Sequence, residues 1–268
     1  MSRHGIRLAI LLLLACSALA DSAGTTRAWG EPTLVSNVTF PNSITRLKTD
    51  GWFVVWIKYS SQSPGSTRSV FDGVDRWTGE PVSIDIGSNA EYPSTPWAPL
   101  AIDLDIDGGL VALSTTWNHY HGAGPHGVFA KNLLSGQQWQ LSSAKVPGPV
   151  GVSGSSVYWV ERVPGYHGDS RDVIWMQDVA DLNATPMVFY TAVNAAIQVT
   201  DLSVDDGGVV WQMRDEATSR WWLVARTLDG QELTIAEGEQ RIPFDLSGDM
   251  LVYREAGGLT VRYLTDGV

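Results

Sequence analysis

The chain has 268 residues, is 44% hydrophobic and 18% charged, and carries a formal net charge of −11. No basic stripe accompanies that acidity, which argues against nucleic acid and anionic lipid as partners. A single cysteine, Cys16, rules out a disulfide framework.

Residues 1–20 read as an export signal outside the fold. MSRHGIR is a basic n-region, LAILLLL an apolar h-region, and Ala18-Leu19-Ala20 a small-residue cleavage site before Asp21. Leu13-Leu14-Ala15-Cys16 also resembles a bacterial lipobox, so lipidation at Cys16 is the alternative to cleavage after Ala20. Both readings export the chain to a periplasmic or extracellular compartment. No second apolar run approaches the roughly 18 residues needed to span a membrane. Residues 21–28 form a polar leader, and 29–268 suit one domain. All 29 Asp and Glu and 16 of the 18 Lys and Arg follow residue 20, a net charge of −13.

From there the chain repeats itself. Five stretches align: DGWFVVW from Asp50, DGGLVAL from Asp107, SGSSVYW from Ser153, DDGGVVW from Asp205 and SGDMLVY from Ser247. Each reads as a tight turn followed by an apolar strand. Their second residues, 51, 108, 154, 206 and 248, lie 42 to 57 residues apart. The last position of each is Trp56, Leu113, Trp159, Trp211 and Tyr253, one packing slot reused between neighbouring sheets. A second turn recurs after the third strand, as WTG at Trp77, LSG at Leu134, LDG at Leu228 and TDG at Thr265. The third unit has DLN at Asp181 instead, where Asn183 is expected to take the same left-handed turn conformation. No long run shows helical periodicity.

Four antiparallel strands, a to d, repeating every 40–55 residues are the signature of a β-propeller. The fifth unit ends after its c–d turn. WGEPTLV at Trp29 matches TGEPVSI at Thr78, so 31–36 is expected to supply the missing strand d by pairing with 259–264. Closure removes exposed sheet edges. The prediction is an all-β, five-bladed propeller of four-stranded antiparallel blades, closed by the N-terminal strand. A fragment of a larger propeller is the rival. The [DS]-G-x-x-Φ-V-[WY] strand and the Φ-x-[DS]-G turn resemble the TolB-like and WD-type propeller repeats over about residues 29–268. The resemblance concerns the fold rather than one named family.

Antiparallel alternation places the a–b and c–d turns on one face and the b–c and d–a connections on the other. The first set reads as two to four residues throughout. The second reads as long, including SSQSPGSTRS from Ser60, NHYHGAGPHG from Asn118, VPGYHGDSRD from Val163 and GSNAEYPSTPWAPLA from Gly87. Length variation on one face marks the expected binding face. Its candidate residues are Trp97, Trp117, His119, Tyr120, His121, His126, Tyr166, His167, Asp169, Arg171 and Trp221. Of the pair Trp221-Trp222, alternation turns one ring to the core and the other outward. His119, His121, His126 and His167 are also candidate ligands for a metal bridging blades two and three, since imidazole suits Zn, Cu or Ni. The competing reading is a solvated polar loop with no cofactor.

Strand a carries acids at two aligned registers, Asp103 with Asp201 and Asp105 with Asp245. Five-bladed glycosidases are similar in outline, with carboxylates from several inner strands around a central pocket. That chemistry needs one protonated and one ionised acid. The two registers are expected to point to opposite sides of the strand, and no Glu lies on these strands. The sequence therefore favours a non-catalytic platform for a protein partner in the envelope or outside the cell. A carbohydrate-active enzyme or lectin is the alternative.

Overall fold

The structure is a computed structural model that describes residues 43–63, 66–82, 84, 100–116, 126–144, 147–164, 169–181, 183–227, 229–255 and 257–264. All lie in one compact unit, Val38–Val268. The described residues form strands and turns, with no helix among them.

Five antiparallel sheets follow one another along the chain. Blade 1 is β1 (Ser43–Thr49), β2 (Phe53–Ser63), β3 (Ser66–Asp75) and β4 (Pro81–Val82). Blade 2 is β5 (Leu100–Asp107), β6 (Leu110–Thr116), β7 (Gly127–Asn132) and β8 (Gln138–Ser142). Blade 3 is β9 (Pro147–Ser153), β10 (Ser156–Val163), β11 (Arg171–Asp178) and β12 (Met187–Thr191). Blade 4 is β13 (Ile197–Asp205), β14 (Gly208–Asp215), β15 (Trp221–Thr227) and β16 (Glu232–Gly238). Blade 5 shows β17 (Phe244–Ser247), β18 (Met250–Glu255) and β19 (Gly258–Tyr263). This is the five-bladed propeller that the repeat implies. The closing segment 31–36 lies outside the described residues.

The second strand of each blade reads as a continuous apolar run because both of its faces are buried. In β14, Val209 and Trp211 pack toward blade 3 with Val160 and Ile174. Val210, between them, packs toward blade 5 with Leu251 and Tyr253. In β6, Val111 and Leu113 join Phe53, Val55 and Ile57 of blade 1, while Leu110 and Ala112 join Val157 and Trp159 of blade 3. Period-two alternation thus sends successive side chains into successive inter-blade layers. Trp56, Leu113, Trp159, Trp211 and Tyr253 are all buried, as one reused packing slot requires.

The turns separate into two kinds. After strand c, Gly79, Gly136 and Gly230 have φ of +72°, +74° and +85°, the conformation for which Gly recurs there. In the third unit Asn183 N–H donates to Asp181 Oδ1 at 2.9 Å, and the c–d connection lengthens to 179–186. The c–d connections 76–80 and 133–137, at five residues, are likewise longer than the sequence implied, while 228–231 keeps to four. The first b–c connection is shorter than expected. β2 and β3 stay paired up to Ser63 and Ser66, so most of the stretch from Ser60 is hairpin rather than loop. Length on the loop face is concentrated in 83–99, 117–126 and 164–170.

Candidate functional site: the central channel

The first strand of every blade contributes to a central cavity of about 350 Å³. Its charged lining is Arg46 and Lys48 of β1, Asp103 of β5, Asp201 of β13, Asp245 of β17 and Arg241, which precedes β17. The three cations went unnoticed in the acid alignment, yet the signal was present. Arg46 and Lys48 stand five and three residues before Gly51, the same two registers that hold Asp103 and Asp105 before Gly108.

Each cation meets an acid of that alignment. Arg46 Nε lies 3.0 Å from Asp103 Oδ1, and Lys48 Nζ 3.2 Å from Asp105 Oδ1. Arg241 pairs with Asp201 Oδ2. The second oxygen is also engaged. Asp103 Oδ2 accepts from Val150 N at 3.3 Å and Asp105 Oδ2 from Val152 N at 3.0 Å. Asp107 extends the series, accepting from Gly154 N at 2.7 Å. These three aspartates, two residues apart, share one face of β5. The expected opposition of the two registers was wrong, because residues i and i+2 of a strand point the same way.

The chemistry of this row is structural. β9 is the first strand of its sheet, so its inner edge presents N–H groups that no strand of its own blade can satisfy. The β5 carboxylates stand in for the missing carbonyls, as charge-assisted acceptors. The same device recurs around the ring. Asp50 Oδ2 accepts from Gly109 N at 2.7 Å, Asp172 Oδ2 from Val199 N at 2.8 Å, and Asp205 Oδ2 from Gly248 N at 2.8 Å. Ser153 Oγ bonds Asp206 Oδ1 at 3.3 Å between blades 3 and 4. In blades 1 to 4 the Asp or Ser that opens the repeated turn is thus a clasp onto the next blade's turn. Where blade 3 places Gly151 in the channel register, a Cβ would lie 2.4 Å from Val204 Cγ2, so β9 and β13 approach too closely for a side chain.

Burial shapes the protonation of these acids. It pushes Asp103 up to about 6, against the pull of Arg46 and the Val150 N–H. It raises Asp105 too, opposed by Lys48. Burial alone would lower Lys48, but Asp105 and Asp245 hold it above the ordinary lysine value. For Asp103 the folded state binds its proton more tightly than the unfolded chain, whose carboxylates titrate near about 4. Its contribution to stability is full below that value and is lost as pH rises through about 6. Relative to Asp103→Asn, the parent protein should therefore gain up to about 3 kcal/mol between pH 7 and pH 4. Urea unfolding at the two pH values measures it, and an unchanged difference refutes the assignment.

Trp97, Trp117, His119, Tyr120, His121, Tyr166 and His167 lie outside the described residues, as does Cys16. His126 is half-buried just before β7. Asp169 and Arg171 pair with each other at 2.9 Å. Trp221 and Trp222 are both half-buried rather than split between core and solvent. Trp222 packs beside the blade 3–4 core and donates to Glu237 at 3.2 Å, while Arg214 lies 5.5 Å over the Trp221 ring. Among the described residues no three potential ligands come together for a metal, and no helix is long and apolar enough to cross a membrane.

No family model and no curated protein matches the sequence. Solved structures do share its architecture. TolB from Acinetobacter baumannii superposes with a TM-score of 0.52 at 15% identity, over 87% of this chain and 54% of that one. A structure from a study of two prolyl endopeptidases gives 0.53 at 11%, over 83% and 35%. The acylaminoacyl peptidase of Pyrococcus horikoshii gives 0.50 at 11%, over 79% and 35%. The chain spans 35% to 54% of the length of these proteins. Likeness at such identity concerns architecture alone. The chain is a five-bladed β-propeller of TolB-like fold.

Proposed function

We propose that this chain is an exported, non-catalytic propeller that holds a protein partner on its long-loop face. The observation that carries the reading is the engagement of the channel acids. Asp103 and Asp105 each bind a cation through one oxygen and a neighbouring blade's N–H through the other. Asp201 is paired with Arg241. Glycosidic chemistry needs a proton donor and a free carboxylate facing a substrate; Asp103, Asp105 and Asp201 are each tied to a cation, which leaves Asp245 of the cavity lining, beside Lys48. The stretches 117–126 and 164–170 between strands carry polar and aromatic residues, which fits the usual division of labour between scaffold and binding loops. The basic–apolar leader of residues 1–20 supports export, with a mature terminus at Asp21 or a lipidated Cys16.

The test places a photo-crosslinking amino acid at Tyr120 or Tyr166 and, as control, at Val188 on β12. Discrete adducts with an envelope protein from the loop positions alone are expected. Polysaccharide turnover that disappears in Asp103→Asn/Asp201→Asn protein would replace this reading with an enzyme.

A further inference from the structure

The face opposite the long loops carries three large apolar side chains in the open. Trp52 and Trp77 are 61% and 62% exposed, and Leu134 is 73% exposed. Each stands on a pinned turn. Asp50 Oδ1 accepts from Trp52 N and Phe53 N at 2.9 and 2.8 Å. Asp75 Oδ1 accepts from Trp77 N and Thr78 N at 2.8 and 2.9 Å. Asn132 Oδ1 accepts from Leu134 N and Ser135 N at 3.0 and 2.8 Å. The two indoles meet edge to face at 6.4 Å, and the Arg76 guanidinium lies 5.6 Å over Trp77. Leu134 belongs to the next blade but is contiguous with the first: it and Phe53 both come within 3.4 Å of the space above Gly109. Rigidly presented Trp beside Arg is the composition of interface anchors, since little side-chain freedom remains to be lost on contact.

Charge selects the occupant. The turns of this face, 50–52, 75–81, 107–110, 132–138, 153–156, 178–187, 205–208, 227–232 and 247–250, hold eleven Asp or Glu and one basic residue, Arg76; on blades 1 and 2 the acids are Asp50, Asp75, Glu80 and Asp107. Backbone N–H groups hold Asp75 below the usual carboxylate range, and hydroxyls of Ser155 and Thr227 do so for Asp178 and Asp229. Those charges therefore persist at mildly acidic pH. An anionic lipid surface is repelled, and a second copy of the chain presents the same carboxylates. A basic protein segment is attracted, and its cations find indole faces. The geometry points to the turn face of blades 1 and 2 as a docking surface for a Lys- or Arg-rich segment of another protein, with its cations on Trp52 and Trp77 and an apolar neighbour against Leu134.

The surface lies away from the long loops, so its test is independent of the platform reading. Fluorescein-labelled nona-arginine is titrated against the purified protein at physiological salt. Trp52→Ala/Trp77→Ala should weaken binding roughly tenfold, and Trp52→Phe/Trp77→Phe should recover part of it. Met187→Ala/Val188→Ala, on the outer strand of blade 3, should leave it unchanged. Equal binding by parent and Trp52→Ala/Trp77→Ala protein overturns the proposal, because the acids alone would then account for the attraction. So does a Phe pair as weak as the Ala pair. Loss of phosphatidylcholine-vesicle or polysaccharide binding in the Ala pair, with peptide affinity intact, assigns the patch to lipid or sugar instead.

Discussion

Asp105→Ala lowers stability by about 2–3 kcal/mol in urea unfolding, whereas Asp105→Asn costs less than about 1 kcal/mol. The two substitutions separate the roles of one buried carboxylate. Removing it leaves the Val152 N–H, bonded at 3.0 Å, without an acceptor in a site closed to water. An unmet buried donor costs its full desolvation. The ion pair contributes less. Lys48 keeps 36% of its side chain exposed and can turn to solvent when its partner goes. The ionised carboxylate is itself disfavoured by burial, which raises its pKa. Asn restores an acceptor without that charge, so most of the loss should return. If Asn is as damaging as Ala, the ion pair rather than the inter-blade bond is what matters here.

Trp211→Ala costs about 3–5 kcal/mol, the largest single effect expected in the chain. Trp211 is fully buried between blades 3 and 4. Its ring lies 5.0 Å from Tyr190 and 6.1 Å from Phe189, under the Arg226 guanidinium at 6.0 Å. Truncation opens a cavity walled by two rigid sheets that cannot collapse into it. Trp211→Phe should cost less than about 1.5 kcal/mol, because the indole N–H it removes has no acceptor in the native state. Trp77→Ala, which removes an equally large but exposed ring, should fall within about 0.5 kcal/mol of the parent. Equal losses at Trp211 and Trp77 would contradict the assignment of one to the core and the other to an interaction surface.

The architecture was legible because a repeated local pattern imposes a repeated packing problem. The five turn–strand stretches place one large side chain per blade in one slot, and all five are buried. Connection lengths were less legible, since strand ends depend on pairing partners that sequence does not name. Polar Ser60–Ser63 reads as loop, yet it pairs with 66–68 because the hairpin continues past the core. The channel acids were found by alignment, but their role was not. Carboxylates on an inner strand satisfy equally a catalytic pocket or a ladder of orphan N–H groups, and only the position of the next blade separates the two. The same alignment held Arg46 and Lys48, whose charges were the clue to a neutralised channel. Trp52 and Trp77 stood in the sequence reading only as members of the recurring turns DGWFVVW and WTG, not as binding candidates. Exposure depends on which end of the blade a turn occupies.

The clasps between successive blades also explain how the propeller keeps its geometry. Hydrophobic layers resist separation of the blades but are poorly directional. The carboxylate–amide bonds from Asp50, Asp107 and Asp205 fix the register of each turn against the next. Both faces are then presented by one rigid frame, a prerequisite for either binding surface.

A double-mutant cycle between Lys48 and Asp105 tests the central claim most directly, that the channel acids bind blades rather than substrate. Lys48→Met, Asp105→Asn and the double variant are unfolded in urea at pH 7 alongside the parent. A coupling of about 0.5–1 kcal/mol is predicted for a pair 3.2 Å apart that joins blade 1 to blade 2, with Lys48 partly open to solvent. Additivity within about 0.3 kcal/mol would contradict it and leave Asp105 as a carboxylate in search of another role.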